Sequence, residues 1–206
     1  MYKVFFNERF VTLTDKLDPD EVNNYQVIHP FKDKVQLKEM TGYFQNNQVY
    51  NMAVLFEDVL YLKKAFFSMF SNISAAGGLV LNGKDQFLMI YRREKWDLPK
   101  GKAEKSESTA DTALREVSEE TGLSNLELMD KLCDTYHTYK LGTEHIIKDT
   151  TWYLMKCNNP KKLVPQEKED ITVAKWVNES EVDFLLQNSF GAIRDVFEKY
   201  RRLETV

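Results

Sequence analysis

Three glutamates, Glu116, Glu119 and Glu120, stand at i, i+3 and i+4 within GKAEKSESTADTALREVSEETGL, the stretch from Gly101 to Leu123. Side chains at those offsets share one face of an α-helix. The neighbouring residues predict that helix. Ser108 with Asp111 fits a capping box, and Gly122 stands where a left-handed C-terminal cap would sit. Ala110, Ala113, Leu114 and Val117 recur at helical spacing and form one apolar stripe. Crowding like charges on one face costs about a few tenths of a kcal/mol per pair. Two readings follow. One is a solvated acidic face on a surface helix. The other is a set of hard oxygen ligands for magnesium or manganese, ions that keep waters and bridge to substrate phosphates. Arg115 precedes Glu119 by four residues and follows Glu107 by eight, so it can brace either carboxylate.

The spacing of the whole stretch is more specific than its charge. A glycine, five residues, Glu107 and seven residues lead into Arg115-Glu116-Val117-Ser118-Glu119-Glu120-Thr121-Gly122-Leu123. This resembles the Nudix box, GX5EX7REUXEEXGU with U aliphatic, and every specified position is met. The resemblance implies an α/β protein with a Nudix-type α/β/α sandwich, a mixed sheet between helices. It also implies hydrolysis of a phosphoanhydride bond in a nucleoside-diphosphate-linked substrate, with Mg2+ (or Mn2+) as cofactor. By position, Glu116, Glu119 and Glu120 match the family's metal-site glutamates. Glu116 matches the general base of some members, while others use a loop carboxylate. Arg115 and Glu107 match the pair that supports the catalytic loop and helix. The carbonyl of the residue before the motif glycine, here Lys100, matches a further metal ligand. An additional acidic ligand is expected from the loop before the last Trp-bearing strand, where Glu167, Glu169 and Asp170 precede Trp176 and Glu169 is the first choice.

Composition bounds the remaining possibilities. The 206 residues, 43% hydrophobic and 13% aromatic, suffice for one ordinary domain and a small second one. A net charge of −4 without a basic block argues against a dedicated nucleic-acid binder. The N-terminal MYKVFFNERF lacks an apolar signal region, and no apolar run is long enough to span a bilayer, so a cytoplasmic protein is expected. Cys133 and Cys157 lie in expected strands and read as buried free thiols.

Along the chain, residues 1–72 read as a small N-terminal α/β module and residues 73–206 as the Nudix hydrolase domain. KVFF and RFVTLT predict a hairpin around Asn7-Glu8, residues 15–33 a loop or short helix, and VQLKEM and QVYNMAVLF short strands. Glu57 to Phe70 has a helical apolar pattern. ISAAGGLVLN reads as a strand whose Gly77-Gly78 marks close backbone approach or a bulge, and QFLMIYRR as its hairpin partner. KWDLPKGK is expected as a loop that brings Lys100 and Lys102 near the acidic cluster, where they read either as ordinary surface lysines or as cations that neutralise substrate phosphates. Two long strands, LELMDKLCDTYHTYKL and HIIKDTTWYLMKC, follow the box. ITVAKWV is a final strand, and NESEVDFLLQ and SFGAIRDVFEKYRRL are amphipathic helices.

The WDLPKGK segment resembles the loop of dinucleoside polyphosphate hydrolase-like members and of some nucleotide-sanitising ones. In the first group a tyrosine follows the box at about the distance of Tyr139, sixteen residues past Leu123. The expected substrates are therefore a dinucleoside polyphosphate or a (damaged) nucleoside triphosphate. Tyr136 and Tyr139 also read as ordinary strand aromatics, His137 as a satisfied sheet residue, Trp96 as a base-stacking or loop-bracing ring, and Lys148 as a phosphate contact or a solvated lysine. The expected partner is a nucleotide-type small molecule, with no membrane and no nucleic acid, and a second copy of the chain is a candidate for a homodimer. The alternative reading is a non-catalytic Nudix-fold sensor of a nucleotide or ADP-ribose derivative.

Overall fold

A computed structural model describes residues 1–46, 49–158 and 162–204. It separates into two compact units, Met1–Ile73 with Tyr136–Lys148, and Ser74–Thr135 with Asp149–Val206. Tyr136–Lys148 groups with the N-terminal residues, where β1 (Tyr2–Phe6) pairs in parallel with the end of β9 (Glu127–Leu141) at Val4↔Tyr136 and Phe5↔His137.

In the first unit, β1 and β2 (Arg9–Thr14) form the expected hairpin, with Asn7 in the left-handed region at its turn. β2 continues in parallel to β4 (Asn51–Leu55) and then β3 (Val27–Pro30). Helices α1 (Lys34–Asn46) and α2 (Val59–Phe67) bury Leu37, Phe44, Leu62 and Phe66 in one cluster with Val4, Val11, Leu13 and Val54. VQLKEM, expected as a strand, lies in α1. The Asp33 carboxylate accepts from the Gln36 amide and the Gln36 side chain accepts from the Lys32 amide, a reciprocal cap. Leu37, Thr41 and Phe44 then fall on one buried face. β3 and a 3-10 turn at Pro19–Asn24 occupy the region expected as loop or short helix. The expected QVYNMAVLF strand is present from Asn51; its Gln48 lies outside the described residues.

In the second unit the strand order is β11 (Ile171–Val177), β6 (Phe87–Arg92), β5 (Ser71–Asn82), β10 (Glu144–Cys157), β9, with β5 and β10 entering it from Ser74 and Asp149. Helix α3 (Thr109–Thr121) covers one face, where Ala113 and Val117 pack with Ala76, Val80, Leu88 and Met155. Helices α4 (Glu179–Leu186) and α5 (Gly191–Glu204) cover the other, where Leu185, Val196 and Phe197 pack with Leu79, Phe87, Met89 and Trp152. This is the expected α/β/α sandwich. Cys157 is buried, Cys133 is half-buried, and both are free thiols; burial pushes Cys133 up to about 12. Among the described residues, no helix is long and apolar enough to cross a membrane.

KWDLPKGK is more ordered than the expected loop. β7 (Lys95–Asp97) pairs back on β6 and β8 (Lys100–Lys102) pairs on β5, joined through Leu98 and Pro99. The β6–β7 hairpin turns on Arg93 and Glu94, both at positive φ. A two-residue turn with both centres left-handed matches strand twist but normally uses Asn or Gly, so the residue types gave no sign of it.

Helix α3 starts and stops where its sequence says. Ser108 accepts from the Asp111 amide, and Gly122 closes it at φ 73° with its N–H on the Ser118 carbonyl. A Cβ at Gly122 would also press on Val164. Replacing Gly122 by Ala is expected to destabilise the protein by about 1–2 kcal/mol, read as a lower thermal midpoint with the secondary structure unchanged.

Candidate active site

The box residues meet on one side of α3, all within the second unit. Arg115 lies at the centre. Its Nε and Nη2 each donate to the Glu107 carboxylate at 2.8 Å, Nη1 donates to Glu116 at 2.7 Å and to Glu119 at 3.2 Å, and Nη2 also reaches the Lys102 carbonyl at 3.0 Å. Glu107 further accepts from the Glu104 amide and the Thr112 hydroxyl. One guanidinium thus ties the loop from Lys102 to Glu107 onto the helix. The Arg115 guanidinium, with the Glu104 amide, holds the Glu107 carboxyl down at about 2, well below the usual range. The same carboxylates hold Arg115 above its ordinary value.

Glu116 packs against Gly101, where a Cβ would overlap its carboxylate. The motif glycine is therefore fixed by the space this carboxylate takes. Glu119 is exposed, whereas the Glu120 side chain is only 1% exposed. Glu120 accepts from the Lys100 amide at 2.9 Å and from Arg92 Nη1 at 3.2 Å. Burial pushes its carboxyl up to about 7, against the opposing pull of Lys100 and Arg92. The second nitrogen of Arg92 lies 3.6 Å from Glu169, which sits on the 3-10 turn Glu167–Glu169 before β11. Glu169, chosen from the sequence only by its place before Trp176, therefore shares a guanidinium with Glu120.

Other expected residues fall differently. The Lys100 ammonium pairs with buried Asp97 at 2.5 Å, so it neutralises a protein carboxylate here. The Lys102 side chain is exposed. Tyr139 belongs to the first unit, half-buried and stacked on His137 with ring centroids 6.0 Å apart. Lys148 also lies in that unit. Trp96 braces its hairpin: its amide donates to the Asn188 carbonyl, its carbonyl accepts from the Ser189 hydroxyl, and its ring packs against Tyr91. Sequence reasoning missed Arg92 and Asp97. Arg92 carries a legible signal, a cation ending an apolar strand, but its partners are remote in sequence. Asp97 carries none, since an acid in a short strand looks solvated.

Among the described residues, no three His, Cys, Asp or Glu side chains converge in a ready-made metal cage. The carboxylates instead meet in two pairs, Glu116 with Glu119 on Arg115, and Glu120 with Glu169 on Arg92. Each pair already gathers around positive charge with oxygen donors only. Magnesium takes one or two carboxylates plus waters and phosphates, so this donor set fits it without a closed cage.

The carboxylates of α3 thus lie beside the Lys100–Lys102 strand on an α/β/α sandwich. A NUDIX domain profile matches residues 72–200, and the chain belongs to the NUDIX family. An RNA pyrophosphohydrolase of Pelagibacter ubique (strain HTCC1062) is 24% identical over 143 residues, spanning 61% of this chain and 90% of its own. The MutT protein from Methanosarcina mazei Go1 superposes with a TM-score of 0.51 at 24% identity, over 66% of this chain and 98% of that one. An Ap4A hydrolase of C. elegans does so with a TM-score of 0.51 at 21% identity, over 65% and 98%. At these identities the two structures speak for the fold alone.

The two perturbed carboxyls give opposite pH signatures. Glu107, depressed to about 2 from 4.5, contributes stability above pH 4.5 that is lost as pH falls through 2. Glu120, raised from 4.5 to about 7, binds its proton more tightly when folded, so its contribution falls as pH rises through that interval. In metal-free thermal melts, E107Q should flatten the acid limb and E120Q the decline between about pH 4.5 and 7. An acid limb unchanged in E107Q would refute the Arg115 pairing as its source.

Proposed function

We propose that the protein hydrolyses a phosphoanhydride bond of a nucleoside-diphosphate-linked substrate with Mg2+ or Mn2+, the substrate being a dinucleoside polyphosphate or a (damaged) nucleoside triphosphate. The observation that carries this reading is the pairing of Glu116 with Glu119, and Glu120 with Glu169, around positive charge beside the Lys100–Lys102 strand. In this reading Glu116, Glu119, Glu120 and Glu169, with the Lys100 carbonyl, hold the divalent cation. That cation supplies charge neutralisation at the phosphates and makes water more acidic.

The remaining steps belong to the chain's own groups. Water attacks phosphorus, a new P–O bond forms as the anhydride P–O bond breaks, and a carboxylate takes the water's proton. Glu116 is the proposed acceptor, since Gly101 and Arg115 hold its carboxylate in one place. Arg115 and Glu107 keep loop and helix in register. Lys102, exposed at the end of β8, binds substrate phosphate, and Lys100 joins it when drawn from Asp97. A cytoplasmic setting, a nucleotide-type partner other than nucleic acid, and pairing with a second copy of the chain complete the reading; the net charge of −4 favours a small substrate over a polyanion.

The test is a substrate panel with magnesium: dinucleoside polyphosphates, normal and oxidised nucleoside triphosphates, ADP-ribose, nucleotide sugars, diphosphoinositol polyphosphates and a 5′-triphosphorylated RNA oligomer. Preference for either of the first two groups is expected, and preference for the RNA would replace this reading. EDTA should abolish turnover. E116Q should lower kcat by about 100-fold or more, with an unchanged circular dichroism spectrum. Full activity in EDTA would rule out the metal-dependent mechanism.

A further inference from the structure

Two consecutive arginines meet two consecutive acids at the edge of the site. Arg92 ends β6 and faces Glu120 and Glu169, while Arg93, in the left-handed turn, pairs with Asp170 at 3.1 Å. The two grips differ in burial. Arg92 is 13% exposed and touches a carboxylate that is 1% exposed, whereas Arg93 and Asp170 are 68% and 62% exposed. Exposed pairs are screened by solvent and add little; Arg92 is anchored instead on buried Glu120 and reaches the half-exposed Glu169 from that anchor. Its position is itself fixed, because Arg92 pairs with Lys95 across the hairpin and with Ile171 of β11. Its two terminal nitrogens diverge, Nη1 to the helix and Nη2 to the turn. A lysine offers one point charge and cannot span two carboxylates with a planar fork.

We propose that Arg92 is a positioning residue of the hydrolytic site: one guanidinium joins Glu120 of α3 to Glu169 of the turn before β11, so that both carboxylates are presented together to a divalent cation. This rests on the metal site proposed above. Arg92 touches neither substrate nor reacting atoms; it acts through Glu120 and Glu169. The backbone already brings the turn to the helix, with the Gln166 amide on the Glu120 carbonyl at 3.1 Å and the Glu169 amide on the Gln166 carbonyl; Arg92 adds the side-chain tie that aims the half-exposed Glu169 carboxylate toward Glu120.

The test uses the full-length protein without substrate and two readouts: Mn2+ retention by electron paramagnetic resonance, and amide hydrogen exchange over residues 166–171. R92K, E169Q, the double variant and R93Q are compared with wild type. R92K should speed exchange in the turn and weaken Mn2+ binding by about tenfold, the scale for losing a group that orients metal ligands. R92K/E169Q should be no weaker than the worse single variant, and R93Q should match wild type. Unchanged exchange in R92K overturns the proposal whatever the metal does. So do multiplicative losses in the double variant, which would mean that Arg92 acts independently of Glu169. A wild-type protein that retains no Mn2+ overturns instead the metal site on which the proposal stands, and the exchange data separate that failure from the first.

Discussion

The interaction on which the site depends is the grip of Arg115 on the loop that precedes its helix. Three glutamates on one helical face repel by about a few tenths of a kcal/mol per pair. Arg115 donates to Glu107, Glu116 and Glu119 at once, so two of the three share one cation with the loop acid and the acidic face is held by that guanidinium. The same guanidinium takes the Lys102 carbonyl, so helix, loop and strand β8 share one cation. That explains the fixed distances in the motif. Glu107 must be one loop away, Arg115 two turns into the helix, and Gly101 without a side chain where Glu116 arrives.

Glu120 follows a different logic. A carboxylate that is 1% exposed is costly in its charged form, and burial drives its pKa toward 7 despite Arg92, the Lys100 amide and the Lys100 ammonium. Breaking a buried pair by removing one partner typically costs about 3–5 kcal/mol, yet a well-packed apolar replacement of the whole pair is often neutral or stabilising. Stability therefore gives little reason for a glutamate here. The proposed role in holding a divalent cation supplies one, since stability is commonly given up where activity needs a strained group.

Local chemistry decided what could be read from sequence. Helix α3 was legible in full because Ser108, the apolar stripe and Gly122 all act within the segment. Strands β5, β6, β9, β10 and β11 and helices α4 and α5 were legible from periodicity. Helix α1 was not, although Asp33 and Gln36 cap it, since VQLKEM alternates well enough to look like a strand. The Arg93-Glu94 turn was hidden because neither residue type favours positive φ. Within the site, the α3 carboxylates and Arg115 could be placed from spacing alone. Arg92 and the Asp97–Lys100 pair could not, because their partners come together only through β6–β7 and β5–β8 pairing.

The first unit holds its two neighbouring tyrosines differently. Tyr139 stands sixteen residues past Leu123, the expected distance, and Tyr136 only thirteen. Tyr136 is committed to the core of the first unit: it is 5% exposed, its ring meets Tyr2 and Phe67 edge-on, and its hydroxyl accepts from Lys63 at 2.9 Å. The Lys63 ammonium also lies within about 5 Å of all three ring centroids, an arrangement in which cation–π attraction stands in for a carboxylate. Drawing Tyr136 toward a substrate would empty that cluster and strand a lysine among aromatic rings. Tyr139 meets no such constraint, being half-buried on a neighbouring imidazole. Parallel pairing with β1 at Tyr136 and His137 fixes the strand just before it. Pairing with β1 thus holds Tyr136 inward, in the core of the first unit, while Tyr139 stays half-buried on His137.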